Sequence, residues 1–171
     1  MTTSALSDGA AGPIVARGAN LVGAAIGFAE RWLAPLVFLA IRLWIAEIFF
    51  RSGLLKIQNL SGAIFLFSDV HPVPLLPPWL AAYLATAVEL VCPVLLVLGL
   101  AARLAALPML VMVLVIQFVV GAADPAFHLT EHYYWMFLLA VIISKGPERL
   151  SIDHLLAWRL EASPASPEAG R

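Results

Sequence analysis

Long apolar runs, interrupted by short polar turns, dominate the pattern along this chain. A helix needs about 20 mostly apolar residues to cross a bilayer. Three runs reach that length, at about residues 33–55, 78–100 and 103–122. A fourth run, residues 133–144, is shorter, so we expect its helix to begin near Phe127. The pattern therefore predicts an all-α fold, an integral membrane four-helix bundle.

The segment before the first run has an amphipathic pattern. At the helical spacing of about 100° per residue, its apolar residues fall within a sector of about 160°. They are Ile14, Val15, Leu21, Val22, Ile26, Phe28, Trp32 and Leu33. This predicts an amphipathic N-terminal helix that lies in the membrane surface. A cleaved signal peptide fits less well, because no basic residue precedes the weak apolar run of residues 9–16.

Composition narrows the class of protein. Hydrophobic residues make up 62% of the 171 residues and charged residues 12%, and the mean hydropathy is +0.94. No water-soluble domain of this size buries so much apolar surface, so we expect contact with a lipid bilayer. The net charge of −1 gives no reason to expect a nucleic-acid partner. A single cysteine, Cys92, excludes an internal disulfide and a cysteine-rich metal centre within one chain.

The basic residues predict the orientation of the four spans. Seven of them fall on the side that carries both termini, and two on the opposite side. Because cytoplasmic loops are rich in Lys and Arg, we expect a multi-pass protein of the bacterial inner membrane with both termini in the cytoplasm. We divide the chain into residues 1–32, with the surface helix, residues 33–145, the membrane domain, and residues 146–171. This last, cytoplasmic segment contains a possible second surface helix, SIDHLLAWRL, and then a tail predicted to be disordered.

Ionisable residues within the predicted spans are the best indication of a site, because an unpaired charge in lipid costs about 3 kcal/mol. Taking Arg42 as 0° on a helix, Gly53 falls near about 20° and Lys56 near about 320°, on one stripe. Glu47 and Arg51 lie on another face and are spaced to neutralise each other or to meet a partner subunit. In the second span, Glu89 must be protonated or paired.

We expect Glu89 to meet the stripe, which gives an interior polar cluster of Arg42, Gly53, Lys56 and Glu89. Two interpretations stay open: a buried ion pair that fixes the register of the helices, or a site that handles protons or a ligand. Gln117, in the third span, is expected to make a hydrogen bond between helices.

Three stretches, RLWIAEIFFRSGLLKI, AVELVCPVLLVLGLAARLAAL and KGPERLSIDHLL, resemble the DoxX family of small four-helix membrane proteins. The resemblance covers about residues 38–156 and rests on nine positions. These are Arg42, Gly53, Lys56, Glu89, Gly99, Arg103, Gly146, Ser151 and Asp153. The loop HPVPLLPPWLAAYLATAVEL is similar to a branch whose genes lie beside those for metal-binding, modified peptides.

The resemblance implies a role in a redox or copper-stress system. The favoured interpretation is an accessory component that works with partner proteins, and whether the chain catalyses a reaction on its own stays open, with no activity favoured. DoxX-like proteins are also linked with thiosulfate:quinone oxidoreduction, so a membrane subunit of a quinone-linked oxidoreductase is the alternative. A metal-binding or transport module, formed by several copies of the chain, is a second alternative.

The stretch HLTEH precedes the fourth span and matches a zinc-peptidase pattern in His128, Glu131 and His132. Histidines four apart share a face of a helix. The favoured interpretation is a helix entrance anchored by the aromatic residues that follow. The alternative is a copper or zinc site in which His71 or Asp69 joins the three residues. Hydrolysis comes last, because no peptidase scaffold surrounds the motif.

Overall fold

A computed structural model describes residues 11–70, 72–73, 75–146 and 150–161, with the backbone alone for residues 11–16 and 160–161. These residues are mainly helical and contain no β-strand. The chain divides into two compact units, Met1–Val37 and Phe38–Arg171, and each is described by itself. The tail predicted to be disordered begins at Glu161 and otherwise lies outside the described residues.

The first unit contains the helix α1, Ala11–Phe28, followed by a π-helical turn, Ala29–Leu33. Helix α2, Ala34–Gln58, follows at once, so that no non-helical residue separates α1 from the first span. The wider turn ends two residues before Pro35, which has no N–H to donate to the helical ladder. A helix is therefore present where the amphipathic pattern predicts one, while its position in the membrane surface stays a prediction.

The second unit contains the remaining helices. After α2 come α3, Leu60–Phe65, which continues as a π-helical turn over Leu66–Val70, and α4, Pro78–Leu98. Helix α5, Ala102–Val115, continues through a π-helical turn, Ile116–Val120, into the short α6, Gly121–Ala123. A 3₁₀ turn, Pro125–Phe127, leads to α7, Thr130–Lys145, and α8, Ile152–Glu161, ends the described chain.

Local residues explain where several of these helices begin and end. The Asn59 side chain accepts a hydrogen bond from the Gly62 N–H at the start of α3. A proline suits the first position of α4, because that N–H has no helical partner. Gly99 ends α4 with φ 66°, in the left-handed region that glycine enters without strain. The Ser151 hydroxyl accepts a hydrogen bond from the His154 N–H at 3.2 Å and so caps α8.

Three helical runs are long and apolar enough to cross a membrane: Arg17–Gln58, Pro78–Leu98 and Ala102–Ala123. They correspond to the first three predicted spans, the second ending two residues earlier than predicted, and confirm an all-α membrane fold. Helix α7 begins at Thr130 rather than near Phe127 and has 16 residues. The later start follows from Asp124, whose side chain accepts from the Ala126 N–H and holds the 3₁₀ turn. At about 1.5 Å per residue, α7 is about 24 Å long, shorter than the hydrocarbon core of a typical bilayer.

Four helices contribute to one apolar core: α2, α4, α5 and α7. Ile45, Leu96, Met109 and Leu139 are fully buried in it, one from each helix. Small residues on α5, Ala102, Ala105 and Ala106, are buried as well. Small side chains let neighbouring helices approach closely, which is how helices associate where lipid removes the hydrophobic driving force.

The contacts between helices define two ends of this unit. One end, here called the Gly99 end, brings together the turn between α4 and α5, the end of α7 and the start of α8. The opposite end, here called the Pro78 end, contains the end of α2, α3 and the start of α4. The end of α6 and the start of α7 also lie there, because consecutive spans run antiparallel.

Candidate functional site

A buried ion pair joins α2 to α4 near the Pro78 end. The Lys56 ammonium group lies 2.8 Å from each carboxylate oxygen of Glu89. It also donates to the Ser52 hydroxyl at 2.8 Å, and that hydroxyl donates to Glu89 Oε1 at 3.2 Å. The side chains are 16% and 5% exposed for Lys56 and Glu89. All three ammonium protons thus have an acceptor, which an ion pair held away from water requires.

The close approach of two helices places these groups. Ser52 and Lys56 are one helical turn apart on α2, so both side chains point to the same neighbour. Between them, a Cβ atom built on Gly53 would lie 2.9 Å from Glu89 Cβ and 3.0 Å from its carbonyl carbon. No side chain fits there. Because glycine has none, the backbone of α2 can contact α4 closely at the level of Glu89.

Beside the ion pair lies a cavity of about 590 Å³. Lys56 and Glu89 form the polar part of its wall. The rest of the wall is apolar and comes from the segment after α3, from α4, from α5 with the turn that follows, and from the 3₁₀ turn before α7. It consists of Leu66, Phe67, Val73, Leu76, Ala81, Leu84, Ala85, Val88, Pro108, Val111, Met112, Val115, Ile116, Val120 and Phe127.

Arg42 does not belong to this cluster, contrary to the expectation from the helical stripe. It lies fourteen residues before Lys56, about 21 Å away along the helix axis. Its side chain is buried at the Gly99 end, where Nη2 donates to the Leu150 carbonyl. Within the described residues, its Nε and Nη1 atoms have no hydrogen-bond partner. A stripe fixes the direction in which side chains point around a helix. It does not determine whether Glu89 lies at the depth of Arg42 or at that of Lys56.

The remaining residues of the resemblance also gather at the Gly99 end. The Asp153 carboxylate accepts from the Ala101 N–H at 3.0 Å, and the Asp153 N–H donates to the Gly99 carbonyl at 3.2 Å. Arg103 donates to the Lys145 carbonyl at 3.3 Å and lies against Gly146. The nine positions of the resemblance therefore form two separate groups. One connects the helix ends at the Gly99 end, and the other contains the ion pair.

The two histidines of HLTEH have different surroundings, which corrects the expectation of a shared helix face. His128 precedes α7 and is exposed, with its Nε2 atom 3.4 Å from the Tyr133 hydroxyl. His132 is buried, and its Nδ1 atom lies 2.7 Å from Gln117 Oε1. Gln117 thus makes the hydrogen bond between helices expected of it.

The predicted metal ligands are not assembled in the part of the chain that the structure describes. There, no group of three His, Cys, Asp or Glu residues could hold a metal ion. Glu131 is exposed, and Asp69 is exposed and accepts a hydrogen bond from Ser68. His71 lies outside the described residues, so the metal site with that residue stays a prediction.

Two features of the site escaped the reasoning from sequence. Ser52 carries a signal that could have been used, because it lies four residues before Lys56 on the same face. The cavity has no such signal, since its wall comes from distant apolar residues that resemble any others in a span.

Comparison with known proteins supports the resemblance. A model of the DoxX family matches residues 37–122, just over half of the chain. No curated protein and no solved structure matches the chain. The matched segment contains the Lys56–Glu89 pair and Gly53, together with Arg42, Gly99 and Arg103 from the other group. By this match the chain belongs to the DoxX family of membrane proteins.

Proposed function

We propose that this protein is an accessory component of a redox or metal-stress system, and that it holds a lipid-soluble small molecule with a polar head group beside Lys56 and Glu89. One observation carries the proposal: a buried, fully hydrogen-bonded ion pair forms the polar wall of an otherwise apolar cavity of about 590 Å³. Small-molecule sites typically have volumes of about 300 to 1,000 Å³ and a few polar groups that orient the ligand.

The ion pair supports ligand binding more than a purely structural role. Replacing a buried ion pair by apolar residues of similar volume is often neutral or stabilising, so such a pair is a poor device for stability alone. A pair that only fixes register needs no open space beside it. Here Lys56 can donate to a carbonyl or hydroxyl oxygen of a ligand, while Glu89 can accept from a hydroxyl group.

The cavity has a mostly apolar wall, which suits a ligand that arrives through the membrane. It lies toward the Pro78 end, which is the outer end if both termini face the cytoplasm of a bacterial inner membrane. Partner proteins of the redox or metal-stress system would then exchange the lipid-soluble ligand with this protein through the membrane phase.

A binding experiment with a short-chain benzoquinone tests the proposal. We expect purified protein in detergent to show saturable quenching of tryptophan fluorescence, because Trp79 lies on α4, which forms part of the cavity wall. Glu89→Gln should weaken binding about tenfold, equivalent to loss of one charge-assisted hydrogen bond. Glu30→Gln is the matched control, since Glu30 lies in the first unit and not in the cavity wall. Equal affinity of both variants would count against the site.

A second candidate function is a membrane subunit of a quinone-linked oxidoreductase. A carboxylate in the cavity wall favours it, because Glu89 can release or take up a proton beside a bound head group, while Lys56 stabilises the negative charge on the carboxylate. A bound quinone would supply the redox chemistry. Electrons would come from a partner protein, because a single cysteine gives the chain no iron–sulfur centre. Lack of quinone reduction by the purified protein with its copurifying partners would remove this candidate.

A further inference from the structure

The hydrogen bonds of the Lys56–Glu89 pair leave no free donor on the lysine. The Lys56 ammonium group has three protons, and these have three acceptors: the two carboxylate oxygens of Glu89 and the Ser52 hydroxyl. Lys56 can therefore donate to a ligand only by giving up one of these three bonds. A ligand that leaves the pair intact has nothing to accept from.

The Glu89 carboxylate, in contrast, has acceptor capacity left. An ionised carboxylate accepts hydrogen bonds at about four positions, shared between its two oxygens. Oε1 accepts from Lys56 and from Ser52, whereas Oε2 accepts from Lys56 alone in the part of the chain that the structure describes. Glu89 also lies in the wall of the cavity. A ligand that leaves the ion pair intact therefore has to donate a hydrogen bond to Glu89.

The depth of Glu89 decides which kind of donor suits the site. Glu89 lies about 16 Å from the start of α4 at Pro78 and about 14 Å from its end at Leu98. Because α4 has about the length of the hydrocarbon core, the carboxylate lies near the middle of a bilayer that α4 crosses. A charged ammonium group on a ligand is poorly solvated at that depth, and it would meet the positive charge of Lys56. A hydroxyl group donates without carrying a charge.

We propose that the ligand of this cavity is an uncharged, mostly apolar molecule with a hydroxyl group, and that Ser52 sets this preference by accepting the third proton of Lys56. The inference rests on the proposed function, since it concerns the same cavity, and it narrows the class of ligand. Molecules that only accept hydrogen bonds, such as ketones and quinones, bind more weakly. They must displace Ser52 from Lys56 or leave their own oxygen without a partner. Ser52 is not part of the cavity wall, so it acts as a positioning residue.

Four cyclohexanes that share a butyl substituent test the preference. 4-Butylcyclohexanol donates and accepts, 4-butylcyclohexanone only accepts, butylcyclohexane does neither, and 4-butylcyclohexylamine is a charged donor at neutral pH. Isothermal titration calorimetry of the full chain in detergent, with empty micelles as the blank, measures each affinity. We expect the wild type to bind the alcohol about tenfold more tightly than the ketone, the effect of one hydrogen bond to a charged group. The hydrocarbon and the amine should also bind more weakly than the alcohol.

The variant Ser52→Ala tests the role of the serine hydroxyl. Without this hydroxyl, one N–H of Lys56 is free to donate, so the ketone should gain about threefold to tenfold in affinity. The hydrocarbon should gain nothing, which separates a freed donor from a simple gain in space. Ser52→Thr keeps a hydroxyl and should behave as the wild type. Ser61→Ala is the matched control, because Ser61 is exposed and lies outside the cavity wall.

The outcomes separate this preference from the proposed function. Equal binding of the alcohol and the ketone by the wild type would overturn the preference for a donor and leave the cavity as a binding site. That comparison uses the wild type alone, so it does not depend on the folding of a variant. Tighter binding of the amine than of the alcohol would overturn the assignment of an uncharged donor.

The remaining outcomes concern Ser52 and the cavity itself. Equal changes in affinity for all four probes in Ser52→Ala would show that Ser52 only supports the structure, and would overturn its role in the preference. Failure of the wild type to bind any of the probes would remove the preference and the proposed function together.

Discussion

The two ion pairs on α2 differ in every respect that matters for their roles. Lys56 pairs with Glu89 on another helix, is largely buried and shares a third polar group. Glu47 pairs with Arg51 on the same helix and is exposed. The first pair joins two helices and faces a cavity, whereas the second forms within one turn of α2 and joins it to no other helix. Charged residues within a span therefore have to be sorted by the direction in which they face.

Breaking the buried pair is expected to have the largest effect on stability. Lys56→Met or Glu89→Leu leaves one uncompensated charge, which costs about 3 to 5 kcal/mol. The double variant should recover much of that loss, because no buried charge remains. Thermal unfolding in detergent, carried out on the wild type, both single variants and the double variant, measures the interaction. Additive losses in the double variant would show that the two side chains are not coupled.

A side chain at Gly53 is expected to have the next largest effect. Its Cβ would lie 2.9 Å from Glu89 Cβ, so Gly53→Ala should push α2 from α4 and cost about 1 to 3 kcal/mol. Gly23→Ala is the matched control, because nothing lies within 4 Å of a Cβ at Gly23. Alanine there should be neutral or slightly stabilising, by up to about 1 kcal/mol, in the same unfolding measurement. Similar losses at both glycines would contradict the close contact.

The two histidines of HLTEH should differ in their contribution to stability, as the two ion pairs do. His132→Ala removes the buried hydrogen bond to Gln117 and should cost about 1 kcal/mol. His128→Ala should leave stability unchanged, because its ring is exposed. Elemental analysis of the wild type and of the double His128→Ala, His132→Ala variant tests the metal prediction with the same proteins. Copper or zinc that is stoichiometric in the wild type and absent from the double variant would establish a site that includes these residues.

Neutralising the exposed pair should have the smallest effect on the stability of one chain. Glu47→Gln in detergent is expected to change the free energy of unfolding by less than about 0.5 kcal/mol, since the pair forms within one turn of one helix and such i,i+4 pairs contribute little. The measurement is made on monomeric protein at high dilution. A loss as large as that for Glu89→Leu would show that the face of Glu47 packs against its own chain.

The sequence by itself determined the class of protein and most of the helices. Apolar runs of sufficient length located the first three spans to within a few residues, because the bilayer sets the length of a helix that crosses it. The family landmarks identified Gly53, Lys56 and Glu89. Helical spacing alone predicted the local pair of Glu47 and Arg51, since both belong to one turn of one helix.

Only the tertiary structure decided which partner each interior group finds. Arg42 and Lys56 share a stripe on α2. Which of them pairs with Glu89 depends on the position of α4 along the axis of α2, and the contact between Gly53 and Glu89 sets that position. His128 lies outside α7 because Asp124 and Pro125 form a 3₁₀ turn before it. The cavity depends on apolar residues from four separate parts of the chain, whose sizes and positions leave space only after the helices have packed.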